Sequence, residues 1–95
     1  MNGEYLVQEL TLNQLKINQN GLILSVGGKG NLRQHLLDMG IIPGINVKMI
    51  RLAPLGDPLE IRIHDYELTL RLADAERIKI KPLWLFAMLT RIILN

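Results

Sequence analysis

Two histidines, a single serine and one glycine-rich run are the residues here whose types could do chemistry. His35 stands three residues before Asp38, on a nearby helix face if the segment is helical. His64 precedes Asp65 and can face Glu67 across a turn. Imidazole beside carboxylate suits zinc or iron. No His-x-x-x-His or Glu-x-x-His spacing supports an ion, so both histidines read more simply as solvated surface residues. Gly27-Gly28-Lys29-Gly30 precedes a helical pattern, as phosphate loops do. The phosphate-loop pattern needs Ser or Thr after its lysine, and Lys29 is followed by Gly30 and Asn31. The run therefore reads as a bend from strand to helix, with Asn31 as the cap. Ser25 has no residue marked as its activating base. No catalytic residue, metal ligand set or cofactor is expected.

The elements that would position these residues are short. Thr11 can cap one helical turn over "TLNQL". Asn20-Gly21 signals a turn, and "LILSV" at 22–26 is rich in strand formers. "LRQHLLDM" carries Leu32, Leu36 and Met39 at helical spacing, with Leu37 beside them, a set that reads as core packing or as one apolar side left in a groove, and Gly40 stops that helix. After "INVKMIRLA", a strand, "LEIRIH" and "ELTLRL" alternate cleanly. Leu59, Ile61, Ile63, Leu68, Leu70 and Leu72 turn inward; Glu60, Arg62 and His64 turn outward. A two-residue turn at Asp65-Tyr66 would pair His64 with Glu67, Arg62 with Thr69 and Glu60 with Arg71. "ADAE" reads as a helical turn, and "RIKI" as a last strand with Ile78 and Ile80 inward. Five short strands with tight turns predict a small barrel, which leaves no exposed sheet edge.

Bulk properties limit the function. A chain of 95 residues fits one domain. It has no cysteine, which excludes disulfides and thiolate metal sites and suits a reducing compartment. Eleven Lys and Arg against nine Asp and Glu give a net charge of +2, with the signs interspersed and only four aromatics. A nucleic-acid interface finds little support in that pattern. The N-terminus does not resemble a secretory signal. Residues 83–94, "LWLFAMLTRIIL", are the most apolar segment, but twelve residues are too few to cross a bilayer as a helix. The chain is expected to be soluble and cytoplasmic.

The stretch "MGIIPGINVKMIRLAPLGDP", residues 39–58, holds three of the four prolines around one apolar strand. Pro43-Gly44 has the type II turn pattern, with Pro at the second position and Gly supplying positive φ at the third. Pro54 and Pro58 cannot donate ladder hydrogen bonds, so the strand must break between them into a stiff loop. A stiff loop loses little entropy on binding, and Leu55 at its tip has no evident reason to be buried.

Residues 32–80 resemble the FeoA family, small bacterial proteins associated with ferrous iron uptake. The resemblance rests on an ordered set: Leu36 to Gly40, Pro43-Gly44, Ala53 to Pro58, Leu68 to Arg71, and Ala75 with Ile78. It departs at Asp65, where such sequences often have Gly; Asp tolerates positive φ better than most residues. The resemblance implies a mainly β fold with short helices: a small SH3-like β-barrel, a helix inserted after the first strand and an extra C-terminal helix. The barrel domain would span residues 1–81 and an apolar helical tail residues 82–95. It also implies a partner, the membrane ferrous iron transporter with its cytoplasmic G-protein domain. A competing implication is a metal-responsive regulatory domain, similar to the C-terminal domain of iron-dependent repressors. The residues expected to contact a partner are Leu36, Met39, Pro43, Pro54, Leu55, Gly56 and Asp57. The tail is expected to cap the barrel, pair with its copy in a homodimer, or lie on a membrane surface.

Overall fold

The computed structural model describes residues 9–83. Six strands form one antiparallel sheet: β1 (Leu10–Thr11), β2 (Asn20–Val26), β3 (Asn46–Leu52), β4 (Leu59–Ile63), β5 (Tyr66–Leu70) and β6 (Ile78–Pro82). Helix α1 (Gly30–Asp38) lies between β2 and β3, and α2 (Leu72–Ala75) between β5 and β6. The sheet order is β1-β6-β2-β3-β4-β5. The two-residue strand β1 carries too little pattern to be read in sequence, so six strands replace the expected five.

Among the described residues the sheet is not closed by hydrogen bonds, contrary to the expected barrel, because β1 and β5 remain its two edges. Each edge runs directly into a helical turn. The 3-10 turn Leu12–Gln14 follows β1, and α2 follows β5. These two turns pack on each other and bring Leu12, Leu15 and Ala75 into the core. Side chains therefore seal the gap that ladder hydrogen bonds leave open. The N-cap of the 3-10 turn is Thr11, as its sequence predicts, and the Thr11 N–H donates to Gln14 Oε1 at 2.8 Å.

Strand alternation is faithful to the sequence. Leu59, Ile61 and Ile63 of β4, Leu70 of β5 and Ile78 and Ile80 of β6 are all buried. Each such side chain contributes about 1.5–3 kcal/mol relative to exposure. Val47 and Met49 complete the β3 side of the same cluster. Among the described residues the core holds no polar or charged side chain.

The β4–β5 hairpin corrects the predicted register. Its turn is His64-Asp65, so Ile63 pairs with Tyr66, Arg62 with Glu67 and Glu60 with Thr69. Positive φ falls on His64, at 53°, and not on Asp65. Starting the turn one residue earlier shifts every pairing by two and leaves each side chain on its expected face. It also places Arg62 Nη2 2.9 Å from Glu67 Oε1, an ion pair that the other register does not make. Tyr66 becomes a strand residue instead of a turn residue.

Helix α1 starts at Gly30 with Lys29 as its N-cap, ahead of the predicted cap Asn31. The start is held from outside: Arg33 Nε donates to the Val26 carbonyl at 3.0 Å. The expected tail helix lies outside the described residues from residue 84 onward.

Candidate functional site: two exposed ends of one strand pair

The seven residues expected to contact a partner do not form one surface. Strand β3 runs from the Pro43-Gly44 turn to the Ala53–Pro58 loop, and its seven residues separate the two by about 20 Å. Pro43 and Met39 belong to one end; Pro54, Leu55, Gly56 and Asp57 belong to the other.

At the loop end, the Gly56 N–H donates to the Ala53 carbonyl at 2.7 Å, and the Ala53 N–H to the Pro58 carbonyl at 3.0 Å. Pro54 occupies the second position of the first of these turns, where its fixed φ fits. Gly56 takes φ 81°, and the Asp57–Pro58 peptide is cis. The Asp57 carboxylate accepts the Leu72 N–H at 3.0 Å, which ties the loop to the first residue of α2. Asp57 thus has an intramolecular role that its sequence context did not suggest. Leu55 projects from this fixed frame with 93% of its surface exposed.

At the opposite end, α1 stops in a complete Schellman motif. The Gly40 N–H reaches the Leu37 carbonyl at 2.9 Å and the Ile41 N–H the Leu36 carbonyl at 3.2 Å. Gly40 takes φ 98°, so it stops the helix as predicted. Leu36 and Ile41, which flank the motif, are both fully buried. This corrects the reading of Leu36 as a contact residue: its side chain belongs to the core, against which the half-buried Met39 packs. Leu32 goes the other way and is 53% exposed. The Pro43-Gly44 turn forms as expected, with the Ile45 N–H donating to the Ile42 carbonyl at 3.2 Å and Gly44 at φ 93°.

Tyr66 joins the hairpin to this end. Its hydroxyl donates to the Met39 carbonyl at 2.6 Å, and its ring stacks on His64 at 6.4 Å between centroids. A Cβ on Gly40 would collide with the Tyr66 hydroxyl and displace it, so the close approach adds to the positive φ in favouring glycine. Met39 is half-buried, while Ile42, Pro43 and Tyr66 are exposed.

A cleft of about 400 Å³ opens beside this apolar patch, lined by Asn20, Gly44, Ile45, Asn46, Lys48, Arg62 and His64. The strand register builds it. Asn20 pairs with Lys48, and Lys48 with Arg62, in one row across β2, β3 and β4 on the face away from the core. His64 therefore neighbours two cations, and Glu67 is turned to Arg62. That environment opposes a bound cation. Asp38 likewise engages Gln34, at 2.8 Å, and not His35. Among the described residues no three His, Cys, Asp or Glu gather as a metal site. Asn20, Asn46, Lys48 and Arg62 were not read as site residues in sequence, because only the pairing of three strands brings them together.

Among the described residues no helix is long and apolar enough to cross a membrane. The FeoA domain family model matches residues 10–82. A fusion protein of Fe(2+) transport protein A and Fe(2+) transporter FeoB from Porphyromonas gingivalis is 35% identical over 72 residues. The match spans 76% of this chain but only 8% of that relative's length. The FeoA protein of Chlorobium tepidum is 35% identical and superposes with a TM-score of 0.72, over 78% of this chain and 70% of its own. The fold is also shared by the Stenotrophomonas maltophilia FeoA, an SH3 domain protein solved with zinc, at 24% identity and a TM-score of 0.66. That superposition covers 75% of this chain and 88% of the other. A manganese-dependent transcriptional repressor, 10% identical, superposes with a TM-score of 0.73 over 80% of this chain and 42% of its own, a likeness of fold alone. The open six-stranded sheet with its two short helices is thus an SH3-like fold, and this chain belongs to the FeoA family.

Proposed function

We infer that this chain is an accessory interaction module of bacterial ferrous iron uptake, docking on the cytoplasmic G-protein part of the membrane iron transporter and supporting its activity. The observation that carries this reading is the likeness to a protein in which the matching region is fused to a ferrous iron transporter. Fusion holds two modules at high effective concentration, an arrangement suited to parts that work in contact. A cytoplasmic location follows from the same reading.

The loop end suits the docking role. Leu55 is a large apolar side chain in water, and the frame beneath it is held by two backbone hydrogen bonds and the Asp57 contact. Binding through such a tip orders little that is not already ordered. Burying Leu55 against a partner is worth about 2 kcal/mol, or roughly thirtyfold in affinity. The test is calorimetric titration of the transporter's cytoplasmic G-protein domain with the wild-type chain and with Leu55→Asp. Wild-type binding and a loss of about that size in the variant are expected. Equal binding by the two would remove the loop from the interface, and no binding by wild type would remove the function itself.

A further inference from the structure

We propose that the cleft beside the Pro43-Gly44 turn is a docking site for an acidic peptide segment that carries an apolar residue next to its carboxylates. The site differs from the loop surface: neither Leu55 nor its neighbours line it, and β3 separates the two. It does not depend on the transporter reading.

The chemistry of the cleft selects the occupant. Lys48 and Arg62 supply two cations, and Asn20, Asn46 and His64 add side chains able to hydrogen-bond, over the half-buried Ile45. Among the described residues Lys48 has no carboxylate partner. Arg62 shares one guanidinium nitrogen with Glu67, which leaves further N–H donors for a second carboxylate. The nearby acids are Glu67 and Asp65, with Glu60 further along β4, where it is held by Arg51 at 3.3 Å. Lys48 is thus uncompensated and Arg62 keeps spare N–H donors, and a lining with two cations and no carboxylate favours an anion over a metal ion.

The surroundings favour a peptide over a small ion. Pro43 leads directly into Gly44 and Ile45 of the cleft, and Tyr66 stacks on His64 at its rim. Tyr66, 40% accessible, adds exposed apolar surface beside His64 of the lining, and Ile42, 45% accessible, stands two residues before Gly44 of the lining. A bare oxyanion would use the cations and leave that apolar surface wet. A segment with an apolar residue beside Glu or Asp would use both.

The test is a titration of isotope-labelled protein with the peptide Glu-Glu-Leu-Glu-Glu, with its counterpart Gln-Gln-Leu-Gln-Gln, and with sodium citrate and phosphate. The acidic peptide is expected to move the amides of Asn20, Gly44, Asn46, Lys48, Arg62 and His64. The Gln peptide should bind at least tenfold more weakly. Lys48→Glu should weaken the acidic peptide at least tenfold, and the milder Lys48→Gln severalfold, with amide dispersion showing that each variant is folded. Ile42→Ala should cost severalfold, and Lys29→Glu, at the N-cap of α1 and outside the lining, less than twofold. The proposal is overturned if the two peptides bind alike, if the shifts fall elsewhere, or if Lys48→Gln binds as wild type. It is overturned equally if citrate or phosphate matches the peptide at equal concentration, which would make the cleft a small-anion site.

Discussion

The two ends of the β3–β4 pair solve different physical problems. The Ala53–Pro58 loop is stiff because its own backbone bonds and two prolines fix it, with one tie from Asp57 to α2, and a single apolar side chain stands out from it. The other end is assembled from α1, the Pro43-Gly44 turn, the hairpin turn and β2, and it holds together through contacts between segments. A locally built end can change its tip without disturbing the core. An end built from distant segments cannot change its joints in that way.

That contrast can be attacked first at the core beneath the assembled end. Leu36→Ala should cost about 2–5 kcal/mol, because it opens a cavity under the Schellman motif and the half-buried Met39. Urea denaturation measures it, and a loss below about 1 kcal/mol would mean that α1 is not anchored as described.

A pair of glycines sharpens the comparison. Gly40 and Gly56 both take positive φ, at 98° and 81°. A Cβ at Gly40 meets the Tyr66 hydroxyl, while at Gly56 it meets open space. Gly40→Ala should therefore cost about 2–3 kcal/mol, the left-handed strain plus a displaced hydrogen bond. In a Tyr66→Phe background the further cost of Gly40→Ala should fall to about 1–2 kcal/mol. Gly56→Ala should cost only about 1 kcal/mol, the strain alone. Equal losses at the two glycines would show that Tyr66 does not press on Gly40.

The smallest expected effect is at the loop tip. Leu55→Asp should change stability by less than about 0.5 kcal/mol, since almost all of that side chain is in water. A larger loss in the same urea experiment would place Leu55 against the core and remove the reason for reading it as a docking tip.

The same contrast explains what the sequence disclosed. Local signals were readable: Pro43-Gly44 as a turn, Gly40 as a helix stop, Thr11 as a cap, and the alternation that buries Leu59, Ile61, Ile63, Ile78 and Ile80. The loop was conspicuous for its prolines. Leu36 could be read both as core and as a contact, because helical spacing shows which residues share a face and not whether that face meets the core or a partner; the structure puts Leu36 in the core and Leu32 at the surface. The hairpin register differs by two because both registers turn the same apolar side chains inward, so hydrophobicity alone could not choose between them. The cleft was hidden because Asn20, Lys48 and Arg62 lie far apart in the chain and become neighbours only through the order β2-β3-β4. The open sheet was hidden similarly, since a two-residue β1 leaves no pattern from which closure could be judged.

The most direct test of the docking account is a titration of the isotope-labelled chain with the transporter's cytoplasmic G-protein domain, followed amide by amide. The account predicts that Ala53, Leu55, Gly56 and Asp57 shift or broaden among the first residues and saturate with the binding curve. Unmoved amides at those four positions, at a concentration where the complex has formed, would contradict it.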